Sequence, residues 1–413
     1  GKPVVASDFV YSWNRAIDPD IGADYAYIFE CIEGYETGKL NVTATNDKTL
    51  VIKLIADTPY FLELCAFPTY FPVRKDIIKA NPEKWTLDPK TYIGNGPYML
   101  TEWKHDSHMI YKKNPNYWDY AKLGPDSIKF LLMDEDNSIL TQELDAWGNE
   151  KEFNLEGQLG TYYVSFNVKK PPLDNPLVRK ALILAIDRHR IVTQIGKAGQ
   201  QPAGAYVSTG LSDVDLNTEF RDVGGNYYDP SEAANEANLA EAKRLLKEAG
   251  YPDGKGILTL EYIYNVGTGH QLIGEALQGM WKKIGVNIEL VSQEWGTFLN
   301  TRKNGEYYIA RNGWLGDYND PISFLDMWIT GGGNNDAQWS NSKYDELISK
   351  IKASSDRAER MKLMHEAEDI IFEESMLCPI YYYVDIFLKN QKLEGFYSSR
   401  LGYKYFMYCS IKK

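Results

Sequence analysis

The stretch LTLEYIYNVGTGHQLIGEALQGMWKKIGVNIELV (Leu258–Val291) decides the fold class. Its first part, Leu258–Asn265, is rich in β-branched and aromatic residues, and Val286–Val291 is a second strand-like run. Between them, His270–Gly285 carries apolar residues at helical spacing and ends in a glycine, which commonly terminates helices. A strand, a helix and a strand with short links form a parallel βαβ unit. We therefore predict an α/β protein.

The same two patterns continue on both sides of this unit. Asp174 or Asn175 can cap a helix in which Pro176 occupies the first turn. The other predicted strands are Thr49–Ala56, Tyr162–Val168 and Leu377–Val384, and Gly94–Leu100 with His108–Trp118 are interpreted as a turn and strands. The other predicted helices are Ala6–Ile17, 238–250, 342–354 and 356–375.

Composition excludes several classes of protein. The chain has 413 residues, which suggests two or three domains, and its 44% hydrophobic and 25% charged content is typical of folded proteins. The formal net charge is -12 and no basic block is present, so we predict no nucleic-acid partner. No apolar run reaches the roughly 18 residues of a membrane-spanning helix. The four cysteines show no CxxC spacing, which argues against metal binding and redox chemistry.

The sequence lacks the common motifs of catalysis and metal binding. There is no GxSxG elbow, no HExxH helix and no phosphate-binding loop of the GxxxxGK type. The five histidines show no close helical spacing that suits a metal ion. We therefore predict no catalytic residue, no metal, no cofactor and no enzymatic activity.

One short stretch combines opposite charges with an indole. ARNGWLGDYNDP (Ala310–Pro321) places Arg311, Trp314 and Asp317 among glycines, after the strand-like YYIAR. A carboxylate pairs with an ammonium group and an arginine with a carboxylate, so the stretch can hold a short peptide that adds as a strand. The alternative is structural: Asp317 would cap a turn, Trp314 would be core and Arg311 would form a weak surface ion pair.

Other polar and aromatic side chains come directly after predicted strands. Ligands of parallel sheets gather beyond the carboxyl ends of the strands. We therefore expect the residues that follow the predicted strands to lie around one cleft. They are Asn265, His270, Trp295 and the Trp314–Asp317 loop.

Several blocks, in order along almost the whole chain, resemble a known family. They are similar to the solute-binding proteins of ABC peptide importers, and the last long block is most similar to the oligopeptide branch. The resemblance implies a two-lobe α/β fold of the type II periplasmic-binding-protein kind, with a hinge and the extra subdomain of family 5. The blocks are PVVASDFVYSWNRAIDP, YIGNGPYML with KKNPNYWD, GTYYVSFNVKKPPLDNPLVRKALILAIDR, QEWGTFLNTRKNGEYYIARNGWLGDYNDPISFL and CPIYYYV.

The resemblance also implies domain boundaries. Residues 1–75 would form the extra subdomain, residues 76–158 and 385–413 lobe I, and residues 159–384 lobe II. Two segments of the family pattern are not found, one before ASDFVYSW and one between DEDNSILT and QELDAWGNE. For this reason we expect the extra subdomain and lobe I to be partial.

Peptide-binding residues follow from the same resemblance. Asp317 resembles the partner of the peptide ammonium group, and the backbones of Gly313 and Leu315 resemble those that pair with the peptide main chain. Three residues resemble those that meet the peptide carboxylate, namely Arg311, Arg302 and His270. Five others resemble residues that line the side-chain pockets: Trp295, Trp314, Tyr11, Asn265 and Tyr383.

The function implied is that of an extracytoplasmic receptor. It would capture short peptides as a monomer and deliver them to the permease subunits of an ABC importer, with membrane contact only through a lipid anchor outside this chain. Two alternatives stay open. The same fold can bind another solute, such as an oligosaccharide, a nickel chelate or haem, and a hydrolase would be a different class altogether.

Overall fold

The computed structural model describes residues 1–132 and 151–412, so residues 133–150 of the predicted lobe I lie outside it. Helices and strands alternate along the chain, and the predicted α/β class is confirmed. The strands are β1 (Val42–Asn46), β2 (Thr49–Ile52), β3 (Tyr98–Lys104), β4 (His108–Lys113), β5 (Ser127–Leu131), β6 (Phe153–Phe166), β7 (Gln201–Pro202), β8 (Leu260–Asn265), β9 (Ile288–Gln293), β10 (Ile309–Leu315), β11 (Leu377–Leu388), β12 (Leu393–Glu394), β13 (Tyr397–Ser398), β14 (Lys404–Tyr405) and β15 (Ser410–Ile411).

The helices mostly connect or cover these strands. Within the described ranges, none of them is both long enough and apolar enough to cross a bilayer. They are α1 (Ala6–Ala16), α2 (Phe61–Ala66), α3 (Lys75–Ala80), α4 (Pro176–Leu184), α5 (Arg188–Arg190), α6 (Phe220–Gly224), α7 (Asn235–Glu248), α8 (Thr268–Lys282), α9 (Trp295–Lys303), α10 (Ile322–Leu325), α11 (Ser342–Ala353) and α12 (Arg357–Glu373).

A six-stranded sheet with the order β7-β11-β6-β10-β8-β9 lies at the centre of the molecule. β8 and β9 run parallel, from the Leu260–Ile288 pair to the Asn265–Gln293 pair, and α8 connects them. The βαβ unit predicted from Leu258–Val291 is therefore confirmed. On its other edge β8 pairs with β10, also in parallel, and β10 in turn pairs antiparallel with β6.

The two faces of this sheet pack into separate hydrophobic clusters. Side chains alternate across a strand, so neighbours in β6 point to opposite sides. Tyr162 packs with α4, α7 and α8, whereas Tyr163 packs with α10, α11 and α12. Trp281 and Trp328, one in each cluster, are fully buried. Burying a large apolar side chain contributes about 1.5–3 kcal/mol, so both faces stabilise the sheet.

Residues 1–75 pack on the face of the sheet that carries Tyr163. Trp13 of α1 is buried, and its indole N–H donates to the Tyr70 carbonyl at 2.8 Å. Tyr60 stacks on Tyr318, with ring centroids 5.4 Å apart. These contacts merge the first part of the chain and the sheet into one hydrophobic cluster.

Strands β6 and β11 extend out of the central core. They have 14 and 12 residues and pair antiparallel from Leu377–Ser165 to Leu388–Phe153. One half of the pair is buried and the other half is partly exposed. The exposed half leads to the β3-β4-β5 sheet and to the last strands, where Phe130 and Phe406 pack 5.9 Å apart. The burial changes close to residues 158 and 385, but the lobe boundaries proposed there stay a prediction.

A buried charge cluster joins α12 to the chain beside the sheet. Glu368 accepts hydrogen bonds from the N–H groups of Tyr206, at 3.0 Å, and Val207, at 2.7 Å. Its carboxylate also pairs with the Arg221 guanidinium, which is 7% exposed, while Glu368 itself is fully buried. Because each of these polar groups is out of water, each depends on the others for a partner.

We expect Glu368→Gln to lower the free energy of unfolding by about 3–5 kcal/mol, because it leaves the buried Arg221 charge without a counter-charge. Chemical denaturation followed by far-UV circular dichroism measures the change. Glu366→Gln, on the same helix and partly exposed beside Lys362, is the matched control and should cost less than about 1 kcal/mol. Equal losses in the two variants would contradict the assigned role.

Candidate ligand-binding cleft

A cavity of about 1050 Å³ lies between residues 22–27, α9 and β10. Aromatic rings form much of its wall, and Trp295 is 52% exposed at its rim. The cavity therefore has the size and the aromatic lining of a site for a small molecule or a short peptide. Of the predicted site residues, those that line it are Trp295, Arg302, Gly313, Trp314, Leu315 and Asp317.

One edge of β10 is open to this cavity. β6 pairs with β10 along its whole length, from Ile309 to Leu315. On the other edge β8 pairs only with Ile309 and Ala310, and no other strand of the described ranges continues that pairing. The residues from Asn312 onward line the cavity instead. An exposed strand edge presents unpaired backbone groups, which can pair with another chain.

Side chains form hydrogen bonds with two of the backbone groups on this edge. The Gly313 N–H donates to the Oδ1 atom of Asn312 at 2.8 Å, and the Arg311 carbonyl accepts from Arg302 at 3.5 Å. β10 extends to Leu315, so Trp314 and Leu315 belong to the strand and not to the predicted Trp314–Asp317 loop. The reason is the β6 partner, which pairs with both residues.

Asp317 stands directly beyond the end of β10. Its two carboxylate oxygens accept hydrogen bonds from the hydroxyls of Tyr25, at 3.3 Å, and Tyr27, at 3.2 Å. The interpretation of Asp317 as a turn cap is wrong, because Asp320 has that role: its Oδ1 atom accepts from the Ile322 N–H at 3.1 Å. The Asp317 carboxylate faces the cavity instead of its own turn.

The environment of Asp317 disfavours its negative charge. Burial raises the pKa of this carboxyl group to about 7, the hydroxyls of Tyr27 and Tyr25 act against this, and the nearby Asp326 charge adds to it. A carboxylate in such a place gains most from a cationic partner, which would favour the charged form again.

Arg302 already has an internal partner. Its guanidinium lies 3.4 Å from an oxygen of Asp336, and both side chains are nearly buried. Asn312 donates to the same carboxylate at 3.3 Å, and the Arg302 guanidinium carbon lies 4.8 Å from the Phe298 ring centre. This pair neutralises the wall of the cavity beside the open edge.

Arg311 lies on the opposite face of β10, in a group of aromatic hydroxyls. Its guanidinium carbon is 5.4 Å from the Tyr162 ring centre, and its buried Nε atom has no hydrogen-bond partner in the structure. Among the described carboxylates none forms an ion pair with it, so the interpretation as a surface ion pair is wrong. His270 contacts the Tyr162 hydroxyl at 3.3 Å through Nδ1. The Arg311 charge is thus held by rings and hydroxyls, without a carboxylate.

Gly313 links this group to the cavity. A Cβ atom at Gly313 would lie 2.4 Å from the Tyr383 hydroxyl, so only glycine leaves room for the tyrosine. Tyr383 packs against Tyr162, with ring centroids 6.2 Å apart, and Gly313 itself lines the cavity. The group around Arg311 therefore borders the cavity at one point.

The predicted convergence on one cleft is only partial, because Trp295 and the residues Trp314–Asp317 line the cavity whereas Asn265 and His270 do not. Side chains three positions apart in a strand point to opposite faces, which separates Arg311 from Trp314. Asn265 does not line the cavity, and Tyr11 packs instead beside Lys75, whose ammonium lies 5.1 Å from its ring centre. Whether any of these residues binds a ligand stays a prediction.

Sequence reasoning missed Tyr25 and Tyr27. They lie 292 and 290 positions before Asp317, in a segment without a regular pattern. No local signal identifies such a contact, because it depends on how residues 1–75 pack against the sheet. Also missed were the cavity-lining residues Phe67, Asn312, Asp336 and Tyr403.

The chain belongs to the bacterial extracellular solute-binding proteins, family 5, whose middle-region pattern matches residues 1–336. Dipeptide-binding protein DppE of Bacillus subtilis is 35% identical, over 98% of this chain and 77% of the relative. The substrate-binding domain of a Bacillus anthracis oligopeptide ABC transporter has a TM-score of 0.87 at 27% identity, covering 100% of this chain and 85% of that one. Haemophilus influenzae OppA in complex with RPPGFSPFR has a TM-score of 0.85 at 27% identity, with the same coverage of both chains.

Family membership confirms the resemblance found in the sequence, the two-lobe family-5 fold and the extracytoplasmic location. The family is one of solute-binding proteins, which agrees with the lack of catalytic motifs in the sequence.

Asp317→Asn should change how stability depends on pH. The carboxyl pKa is about 7 in the folded protein and about 4 in an unfolded chain, so the folded state binds the proton more tightly. The free energy of unfolding of the parent protein therefore falls as pH rises from about 4 to about 7. We expect the variant to be more stable than the parent by about 1–3 kcal/mol at pH 8, after allowance for solvent screening, and equally stable near pH 4.

Urea denaturation of both proteins at several pH values measures this difference. Asp24→Asn, at an exposed position of the same wall, is the control substitution. Parallel stability curves for the parent and Asp317→Asn would refute the assigned environment of Asp317.

Proposed function

We propose that this protein is the peptide-binding component of an ABC importer, which captures short peptides and delivers them to the permease subunits. The observation that carries the proposal is the open edge of β10 beside a large cavity, with the partly buried Asp317 carboxylate at its end. The names of the relatives, a dipeptide-binding protein and an oligopeptide ABC transporter domain, support it.

Asp317 would pair with the ammonium group of the peptide. Tyr25 and Tyr27 supply hydrogen bonds to the carboxylate but no positive charge. An ammonium group brings both a charge and several donors, so it satisfies the carboxylate better than the two hydroxyls alone.

The open edge of β10 would read the peptide main chain. Strand addition uses backbone hydrogen bonds, which are the same for every peptide sequence. Gly313 has no side chain to block the approach, and Leu315 is 45% exposed at the end of the strand. Aromatic walls such as that of Trp295 leave room for side chains of different sizes together with water. We expect broad tolerance of peptide sequence.

Arg311 would meet the peptide carboxylate. Its charge has no carboxylate partner among the described residues, and an unpaired buried charge is costly. His270 lies in the same group, through its contact with Tyr162. Arg302 suits this role less well, because Asp336 already neutralises it. Asn265 and Tyr11, which neither line the cavity nor belong to the group around Arg311, have the weakest support among the proposed site residues.

A sugar, a nickel chelate or haem would use this architecture less well. None of these ligands needs a carboxylate at one end of an open strand edge and a guanidinium near the other. Among the described residues, no group of histidine, cysteine and acidic side chains could hold a metal ion.

A hydrolase would require a nucleophile beside a base in the cavity, and the sequence offers no motif for one. The lack of catalysis, the monomeric state and the lipid anchor stay predictions.

Two changes should weaken peptide binding through the same ion pair. We expect Asp317→Asn to reduce the affinity for a tripeptide by about two to four orders of magnitude, because breaking a buried ion pair costs about 3–5 kcal/mol. Acetylating the amino group of the tripeptide should reduce its affinity for the parent protein by a similar factor. Combining both changes should cost little more than either alone, since the pair is broken only once.

Titration calorimetry on the four combinations measures the coupling. Asp24→Asn is the matched control, because Asp24 lies on the cavity wall but is exposed and pairs with Lys303 only at 3.6 Å. It should change the affinity less than about fivefold. Additive losses for Asp317→Asn and acetylation would exclude the proposed ammonium contact.

The role of Arg311 is tested with the other end of the peptide. We expect Arg311→Met to weaken binding of a free-acid peptide by about tenfold or more, and to leave binding of its carboxamide nearly unchanged. Peptides of two to five residues should be compared, since only the length that reaches Arg311 will respond. Lys303→Met, an exposed cation on the cavity wall, is the control. An equal loss for acids and amides at every length would contradict the proposal.

A further inference from the structure

A second cavity of about 340 Å³ lies behind the wall of the cleft. It is enclosed by residues 27–37, residues 55–64 and the end of α11. Tyr27 and Tyr35 belong to the linings of both cavities, and the Tyr27 hydroxyl contacts Asp317 on the side of the cleft. None of the roles proposed for the peptide cleft uses this space.

The wall of the second cavity is mostly apolar. Aliphatic side chains and the stacked rings of Tyr60 and Tyr318 surround it. At about 30 Å³ per water molecule, the space holds on the order of ten heavy atoms. A small ring with a short chain has that size. The aliphatic residues of the wall are Ile28, Ile32, Ile55, Ala56, Leu64 and Ala353.

Charged side chains at one side of the cavity do not balance. Lys352 forms an ion pair with Glu30 and lies 3.5 Å from an oxygen of Asp326. The side chains of Lys352, Glu30 and Asp326 are only 19%, 29% and 9% exposed. Two carboxylates therefore share one ammonium group in a poorly hydrated place. Burial raises the pKa of Asp326 to about 6, the Lys352 charge opposes this, and the Glu30 charge adds to it.

We infer that the second cavity is a binding site for a small organic amine with an apolar body, such as a phenylethylamine. The ammonium group would supply the missing positive charge beside Glu30 and Asp326, and the ring would replace water against the apolar wall. Charge and shape complementarity together select this class over neutral and acidic molecules of equal size. The inference is independent of peptide binding, because it uses none of the residues assigned to the peptide.

A series of three compounds tests the charge. Phenethylamine, 2-phenylethanol and phenylacetate have the same ring and similar length but carry a positive, a zero and a negative charge at neutral pH. Calorimetry or ligand-observed NMR on the peptide-free protein should show the amine binding at least about tenfold more tightly than the alcohol, and the acid most weakly. Equal affinities for the three compounds would overturn the inference.

Variants then locate the amine. Ala353 is exposed at the end of α11 and lines the cavity, so Ala353→Trp should fill its mouth and abolish binding without disturbing the core. Ala240→Trp, at an exposed position of helix α7, is the matched control and should bind as the parent does. Glu30→Gln should weaken the amine by about tenfold and leave the alcohol unchanged.

Asp317→Asn distinguishes the two cavities, because an amine could also bind at the peptide cleft. Phenethylamine should bind this variant within about twofold of the parent if it occupies the second cavity. Loss of the amine in Asp317→Asn, together with unchanged binding in Ala353→Trp, would overturn the inference and leave the peptide proposal intact.

Discussion

Strand β6 lies between β10 and β11 and forms hydrogen bonds with both. This pairing determines where every group of the cleft lies. β6 pairs with β10 as far as Leu315. On the other edge of β10, β8 pairs only as far as Ala310, so that edge is open at Gly313 and Trp314. The alternation of side chains then places Trp314 in the cavity and Arg311 among the rings of the opposite face. Glu368 and the two hydrophobic clusters hold the sheet in this arrangement.

Charged side chains in and near the cleft differ in whether the protein itself provides a counter-charge. Arg302 and Asp336 satisfy each other, as do Arg360 and Asp320, in which the guanidinium and carboxylate lie 3.1 Å apart. Asp317 instead has only neutral donors. Internal pairs organise the wall, whereas the groups without a counter-charge are those that gain most from a charged ligand. The same reasoning applies to the second cavity, which shares Tyr27 and Tyr35 with the first.

The candidate site is assembled from distant parts of the chain. Residues 22–27 provide one wall, α9 a second and β10 the floor. The long strands β6 and β11 extend away from this region, and ring contacts from Phe387 of β11 through Phe396 and Phe406 reach Phe130 of the β3-β4-β5 sheet. This is the arrangement expected of two lobes joined by a hinge. A ligand can stabilise a closed form only by making better contacts with both sides when they approach.

Local pattern was sufficient for much of the fold. Leu258–Val291 determined the parallel βαβ unit, because hydrophobic periodicity acts over short distances. The stretch around Asp317 supplied residues that line the candidate cleft. The first half of β6 was not predicted. FNLEGQLG alternates apolar and polar residues, but two glycines interrupt the pattern, and pairing with β11 completes the strand. Tertiary structure alone decided the partners of Asp317, the separation of Arg311 from the cavity and the pairing of Arg302 with Asp336. These depend on which face of a strand meets which remote segment, and that is set by packing across hundreds of residues rather than by any local sequence.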